Sequence, residues 1–195
     1  MKILRLLIFL TIPSVAFSQQ TYLDSMEAYR RDYIEKHEVV TGDDRKLLDF
    51  YNINEKYRVL ARMEKPTDNQ WFQMPTSGSI SKTFRVYGIL HFTINDTSVS
   101  LPVYQSQNLM NMDQYRHHLF LPFTDISSGI ETYETGRYID LDISDIKDGK
   151  IVIDFNKAYN PYCAYVSGKY NCPIPPAANR LNVLIAAGEK AYLKK

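Results

Sequence analysis

The sequence has little of what motif-defined enzymes depend on. Its 195 residues contain two cysteines, four histidines, one tryptophan and eight glycines, and the formal net charge is only +1. A glycine-rich phosphate loop, a Gly-x-Ser-x-Gly elbow and a His-Glu-x-x-His zinc motif are all absent from it. A nearly neutral chain is not expected to bind nucleic acid or a membrane surface through charge. No motif in the chain therefore specifies a reaction.

The main apolar run lies at the N-terminus and predicts a signal peptide. Two basic residues precede the segment LLIFLTIPSVAF, and Ala16-Phe17-Ser18 at its end has the small-x-small pattern of a cleavage site. The run is too short to span a membrane, and no cysteine follows it for a lipid anchor. We therefore predict a signal peptide over residues 1–18, a mature chain that begins at Gln19, export to the periplasm or the extracellular space, and no membrane span. Loss of the two basic residues changes the formal charge from +1 to −1.

The composition of the whole chain favours β-sheet. Fifteen tyrosines and nine phenylalanines stand against eight glycines, and aromatic side chains pack well on a pleated surface. The 177 residues that follow the predicted signal peptide (195 minus 18) are enough for one domain with its own core. We predict a single β-rich domain over residues 19–195.

One helix is predicted before the strands begin. Residues 21–38 repeat Tyr22, Met26, Tyr29 and Tyr33 at helical spacing, and Thr21 with Asp24 resembles a capping box at the N-terminal end.

From residue 57 onward the apolar period falls to two, which indicates strands. The Asn95-Asp96 pair between two such segments predicts a hairpin turn. The segments with strand patterns are YRVLARM, TFRVYGILHFTI, TSVSLPVYQ, HHLFLPFTD, YIDLDIS and KIVIDFN, and LNVLIAAGEKAYL closes the chain. We predict an all-β fold, an antiparallel sandwich or barrel-like sheet of six to eight strands, with an N-terminal α-helix.

Two long motifs resemble a known family. The segments FTDISSGIETYETGRYIDLD and DFNKAYNPYCAYVSGKYNCPIPPAANRLNV are similar to the domain of unknown function 1684 family, and the likeness extends over about residues 22–192. Ala178 departs from the pattern, because the family often has Glu before the Asn-Arg pair. The resemblance implies a shared fold and a map of motifs, and it implies no activity.

Two acidic strand segments predict a pair of carboxylates. In YIDLDIS and KIVIDFN the isoleucines, the leucine and the phenylalanine occupy odd positions, so a hairpin that keeps them on one face needs an odd number of loop residues around Gly149. A three-residue loop places Asp142 opposite Asp154, and a five-residue loop places Asp140 there. Facing carboxylates destabilise a sheet by up to roughly 1 kcal/mol.

Three interpretations of this pair stay open. The two acids could be solvated, or Arg137 or Arg180 could bridge them. The third interpretation is that they bind a Ca²⁺-like cation or the polar groups of a ligand, with oxygen from Asn156 or Asn160.

The loop SSGIETYETGR is a second candidate site. It carries Glu131, Tyr133 and Arg137, and it is reached from Asp125. Binding residues tend to lie on loops that a rigid sheet positions. The alternative is that a Glu131–Arg137 pair only maintains the shape of the loop.

Cys163 and Cys172 predict a disulfide, because an even number of cysteines in an exported chain favours pairing. The proline-rich segment around them, residues 160–176, is then an irregular lobe. The alternative is a thiol nucleophile that the fold supplies with a histidine base.

Together these patterns predict a non-catalytic ligand-binding or interaction module that takes a small polar ligand or an envelope partner. The alternative is a hydrolase in which Asp142, Asp154 and Glu131 share acid and base roles. No cofactor beyond the Ca²⁺-like cation is indicated. The candidate ligand-binding residues are Asp125, Glu131, Tyr133, Arg137, Asp142, Asp154, Asn156 and Asn160.

Overall fold

A computed structural model describes residues 14–193, with side chains from Gln19 onward. Most of the predicted signal peptide, residues 1–13, lies outside the described residues, so it stays a prediction. Within the described part of the chain, no helix has the length and the apolar character needed to cross a membrane.

The described residues form two helices and seven strands, joined by short 3₁₀ turns. In chain order they are α1 (Ser14–Glu35), β1 (Arg58–Glu64), β2 (Phe72–Met74), β3 (Lys82–Ile94), β4 (Thr97–Ser106), α2 (Gln107–Met110), β5 (His118–Phe123), β6 (Arg137–Asp142) and β7 (Lys150–Asp154).

The strands make one antiparallel sheet, curved into a half-barrel, in the order β6-β5-β4-β3-β1-β7, with β2 paired to β3 beside this path. The predicted barrel-like antiparallel sheet with an N-terminal helix is confirmed. The strand number also lies within the predicted range.

The predicted hairpin at Asn95-Asp96 is confirmed. Strands β3 and β4 pair continuously to Ile94 opposite Thr97. Asn95 and Asp96 both have positive φ, 47° and 59°. A two-residue turn with two left-handed residues matches the right-handed twist of its strands, which is why Asn and Asp are favoured there.

Helix α1 begins earlier and ends earlier than its sequence pattern predicts. It starts at Ser14 rather than Thr21, so Thr21 is an interior residue and not a cap. At the other end, the Nδ1 atom of His37 accepts hydrogen bonds from the backbone N–H groups of Val39 and Val40, at 3.3 and 2.8 Å. These bonds fold the chain back after the helix.

The predicted hairpin between the two acidic strands is wrong. Strands β6 and β7 lie at opposite ends of the sheet: β6 pairs with β5, and β7 pairs with β1. Asp142 therefore lies opposite His118, and Asp154 lies opposite Arg58. Each acid faces a basic residue, and the predicted carboxylate pair does not form.

The local cause is a turn that ends β6. The Oδ1 atom of Asp142 accepts a hydrogen bond from the Ser144 N–H at 2.7 Å, and the next three residues form a 3₁₀ turn. A tight turn at Asp148-Gly149 then reverses the chain with φ of 49° and 71°. The predicted hairpin does not form because β6 ends at Asp142, well before this turn.

The main core fills one face of the sheet. Alternate residues of the strands are buried there, including Leu90, Leu121, Ile139 and Ile153. The C-terminal segment adds Leu181, Val183, Ile185 and Ala187 to this core without joining the sheet as a strand. A smaller aromatic cluster packs on the other face, and it consists of Met74, Phe84, Tyr104, Phe120 and Tyr138.

Candidate functional site

A cleft of about 540 Å³ lies beside the smaller aromatic cluster. Its walls come from α1 with the residues just after it, from β6, and from the segment 159–173. We call it the tyrosine cleft, after the six tyrosines that line it: Tyr29, Tyr33, Tyr138, Tyr159, Tyr162 and Tyr170. It opens on the side of β6 opposite the core residue Ile139, because successive side chains of a strand point to opposite faces.

Helix α1 contributes the first wall through its regular spacing. Tyr29, Tyr33 and His37 recur every four residues and therefore share one face of the chain. Lys36 also lines the cleft, where it forms an exposed ion pair with Asp32 at 2.6 Å. Two of the tyrosines whose spacing predicts the helix, Tyr29 and Tyr33, thus form part of this wall.

Strand β6 and Tyr159 contribute the second wall. The backbones of Tyr138 and Tyr159 exchange hydrogen bonds of 2.9 and 3.0 Å. The Tyr159 hydroxyl donates to Asp140, 3.0 Å from both carboxylate oxygens, and His118 Nε2 lies 2.9 Å from the same group. Burial, and then the Asp140 charge, raise the pKa of Tyr159 well above its ordinary value. Tyr159 therefore acts as a hydrogen-bond donor and not as a base.

The disulfide-bonded lobe contributes the third wall. Cys163 and Cys172 are joined, as predicted, with their Cα atoms 6.3 Å apart. The thiol-nucleophile alternative is therefore excluded. The Ser77 N–H donates to the Cys172 carbonyl at 2.9 Å, and the Tyr162 hydroxyl donates to Glu38 at 2.6 Å. These bonds connect the lobe to the segment after β2 and to the chain after α1.

Lys82, the first residue of β3, supplies a cation at the cleft. It is half-buried, and burial lowers the pKa of its ammonium group. Among the residues that the structure describes, no carboxylate lies within 4 Å of the ammonium and no hydrogen bond satisfies it.

The buried carboxyl group of Glu189 fixes the position of the cleft wall. Glu189 has no exposed surface. It accepts hydrogen bonds from the Tyr33 hydroxyl at 3.0 Å, the Tyr165 hydroxyl at 2.7 Å and the Asn160 N–H at 2.9 Å. Burial raises the pKa of Glu189 to about 7, although these hydrogen bonds lower it. Gly188 positions the residue: its φ is +77°, and a Cβ there would lie 2.6 Å from the Ala158 carbonyl oxygen.

The predicted residues Asp125 and Arg137 pair with each other inside the protein. Arg137 Nη2 lies 3.2 Å from Asp125 Oδ1, and both side chains are fully buried. Arg137 also donates to the carbonyls of Ile185, Ala187 and Glu189. This arrangement ties the C-terminal segment to β6. The predicted Glu131–Arg137 pair and a bridge from Arg137 to Asp142 or Asp154 do not form, because Arg137 is directed into the core.

Asp154 and Asn156 form a different cluster, with the N-terminal helix. The Tyr22 hydroxyl donates to Asp154 at 3.0 Å, and Asn156 Nδ2 donates to Asp154 at 3.0 Å and to the Asn54 carbonyl at 2.9 Å. Both predicted residues are buried. The carboxylate of Asp154 therefore fixes α1 to the end of β7.

The remaining predicted residues lie apart from one another. Glu131 is exposed and Tyr133 is partly buried on their loop, whereas Asn160 is buried beside Glu189. The Ser144 hydrogen bonds lower the pKa of Asp142. The eight candidates thus belong to separate places in the fold. The Ca²⁺ prediction loses the acid pair on which it was built, and no group of three or more metal-ligating side chains occurs among the described residues.

Comparison with known proteins supplies the family. The family model described as "Protein of unknown function (DUF1684)" matches residues 44–190. The chain belongs to this family. None of the curated proteins matches it.

One solved structure has a fold similar to that of this DUF1684 protein. The solution NMR structure of an uncharacterized protein from Haloarcula marismortui is similar to it, with a TM-score of 0.67 and 25% sequence identity. The similarity covers 92% of this chain and 99% of that one. The segment that matches DUF1684 includes the β6 wall and the disulfide-bonded wall of the cleft, while the α1 wall precedes it.

Sequence reasoning missed most residues of the tyrosine cleft. Two signals were present: the tyrosine stripe of α1 and the tyrosines of the segment DFNKAYNPYCAYVSGKY. They had to be connected across more than a hundred residues, which no local period shows. Glu189 and Lys82 gave no signal, because each is a single charged residue in an ordinary pattern.

Proposed function

We propose that this protein is an exported, non-catalytic binding module that takes a small polar ligand in the tyrosine cleft. The observation that supports it is the lining of the cleft, in which six tyrosines from three parts of the chain surround about 540 Å³. Ligand pockets in proteins have volumes of roughly 300–1,000 Å³, with aromatic walls and a few polar groups.

The positions of the acidic residues favour binding over hydrolysis. Asp142 and Asp154 are at opposite ends of the sheet, and neither lines the cleft. The acid that does line it on β6, Asp140, already accepts a hydrogen bond from Tyr159. The carboxylate pair that suggested shared acid and base roles therefore does not support the hydrolase alternative.

Export is part of the proposal. The first 18 residues have the pattern of a signal peptide, and the Cys163–Cys172 disulfide suits an oxidising compartment. In such a compartment a cleft with one disulfide-bonded wall would keep its shape.

Amide chemical-shift mapping of the mature chain tests the site. Benzyl alcohol, benzoate, glucose and glucuronate serve as probes. We expect at least one probe to shift the amides that surround the cleft, including those near Tyr29 and Tyr170. A second cleft of about 530 Å³, lined by Met63, Lys65 and Arg85 among others, is the internal control.

A matched pair of variants sharpens this test. Tyr29 and Tyr115 are similarly exposed, 38% and 43%, but only Tyr29 lines the cleft. Tyr29→Ala should weaken the bound probe about three- to tenfold through loss of an aromatic contact, and Tyr115→Ala should not change its affinity. Equal effects of the two variants, or shifts confined to the second cleft, would contradict the proposal.

A further inference from the structure

The acidic and the basic groups around the tyrosine cleft differ in whether they have protein partners. Its acids already have partners: Asp32 pairs with Lys36, Glu38 accepts from Tyr162, and Asp140 accepts from Tyr159. A cationic ligand would therefore have to compete with existing donors for each of these carboxylates.

The ammonium group of Lys82 is in the opposite situation. It is half-buried at the cleft, and the described residues offer it neither a carboxylate nor a hydrogen-bond acceptor. Burial lowers the pKa of this group. The ammonium nitrogen keeps solvent contact, since it is not one of the buried polar atoms without a partner, and a ligand with a negative group would give it a charge-assisted hydrogen bond.

The rest of the lining suits a ring. The hydroxyls of Tyr29 and Tyr170 donate to no protein group among the described residues, so they are free for the hydroxyl or carbonyl groups of a ligand. Tyr162 and Tyr170 stand edge to face, with their ring centroids 5.1 Å apart, beside this space. Aromatic walls favour a flat or cyclic body over a flexible chain.

We infer that the cleft binds a small ring-bearing anion and that Lys82 holds its carboxylate or phosphate group. This inference rests on the proposed function, since it specifies the ligand class of the same site. A ring carboxylate and a ring phosphate present the same chemistry to Lys82, as acceptors for a charge-assisted hydrogen bond.

The test compares charged and neutral probes of matched shape. The mature protein is titrated with benzoate against benzyl alcohol, with phenyl phosphate against phenol, and with glucuronate against glucose, and binding is followed by amide shifts. We expect the anion of at least one pair to bind about tenfold or more tightly than its neutral partner. The benzoate and phenyl phosphate arms distinguish carboxylate from phosphate, and the glucuronate arm distinguishes a sugar ring from an aromatic ring.

Variants of the lysine identify the group responsible. Lys82→Met should remove the preference for the anion while leaving the affinity for the neutral probe within about twofold, and Lys82→Arg should restore part of it. Lys65→Met, which removes an exposed lysine at the second cleft, is the matched control and should change neither affinity. In the absence of probe, Lys82→Met should unfold at the same or a slightly higher temperature, because an unpaired half-buried charge is removed.

The outcomes separate the inference from the proposed function. If neutral and charged probes bind the cleft equally, or if Lys82→Met weakens both to the same extent, the ligand is not selected by its charge and the inference fails alone. If no probe of either kind shifts the amides of the cleft, the proposed function fails and the inference fails with it.

Discussion

Strand β6 borders two polar clusters, one on each face, and they differ in whether all of their charged groups have protein partners. On the core face Arg137 is fully buried and donates to Asp125 and to three backbone carbonyls. On the other face Asp140 is bonded to Tyr159 and His118, but the tyrosine cleft that it lines also contains Lys82 of β3, which has no protein partner among the described residues. The first cluster is closed, and the second is open.

The difference shows how a structural charge can be distinguished from a binding charge. Asp125 accepts from the Ile185 N–H at 2.7 Å, the Ser127 hydroxyl at 2.9 Å and Arg137 at 3.2 Å, which leaves little capacity for a ligand. Gly136, just before Arg137, has a φ of +101°, and a Cβ there would lie 2.5 Å from the Phe123 carbonyl oxygen. The fold is therefore arranged around the closed cluster, whereas the open cleft leaves groups available.

Breaking the closed cluster should have the largest effect on stability. Arg137→Met leaves Asp125 as a buried charge without its partner, and such a loss costs about 3–5 kcal/mol. Chemical denaturation measures it. Arg180→Met, which removes an exposed arginine nearby, is the control and should stay within about 0.5 kcal/mol of the parent protein. A loss below about 1 kcal/mol in Arg137→Met would show that the ion pair does not organise the fold.

The Glu189 cluster is intermediate between the closed cluster and the open cleft, and its contribution to the free energy of unfolding should depend on pH. Because burial raises its folded-state pKa from 4.5 to about 7, the folded protein binds this proton more tightly than the unfolded chain. The stabilisation is fully present below pH 4.5 and is lost as the pH rises through about 7, by roughly 3 kcal/mol in total. Glu189→Gln should remove this dependence.

Unfolding of the parent protein and of Glu189→Gln at about pH 5 and about pH 8 gives the measurement. The stability of the parent relative to the variant should fall as the pH rises. His37, whose pKa is lowered mainly by burial, acts in the opposite direction, since its contribution is lost as the pH falls. It is present in both proteins and cancels in the difference. A difference that does not change with pH would mean that Glu189 is not protonated near neutrality.

Sequence reasoning predicted the parts of the molecule that local patterns control. The period-two segments, the Asn95-Asp96 turn, the helix and the disulfide are each set by neighbouring residues, and the structure has them all. The order of strands is different, because it depends on which edges meet in space. The acids of β6 and β7 looked paired in the sequence, yet the 3₁₀ turn after Asp142 sends the chain from one end of the sheet to the other.

The candidate residues were predicted less well, for a related physical reason. A charged residue in a loop pattern has the same sequence signature whether it is directed into the core, as Arg137 is, or remains exposed, as Glu131 does. Only tertiary packing decides between them. The tyrosine cleft is assembled from α1, β6 and the lobe, and its ligand-facing groups share no sequence motif.

Two tyrosine variants compare the buried Glu189 cluster with the open cleft, and one of them has the smallest expected effect on stability. Tyr165→Phe removes the 2.7 Å donor of the buried Glu189 and should cost about 2 kcal/mol, because a hydrogen bond to a carboxyl group is lost where water cannot replace it. Tyr170→Phe removes a hydroxyl that donates to no described protein group, so its stability should stay within about 0.5 kcal/mol of the parent protein. Binding should show the opposite order, because Tyr170 lines the cleft and Tyr165 does not. Chemical denaturation and titration with the tightest of the ring anions measure the two effects on the same samples. If Tyr170→Phe proves as destabilising as Tyr165→Phe, the Tyr170 hydroxyl stabilises the fold and is not an open group of the cleft.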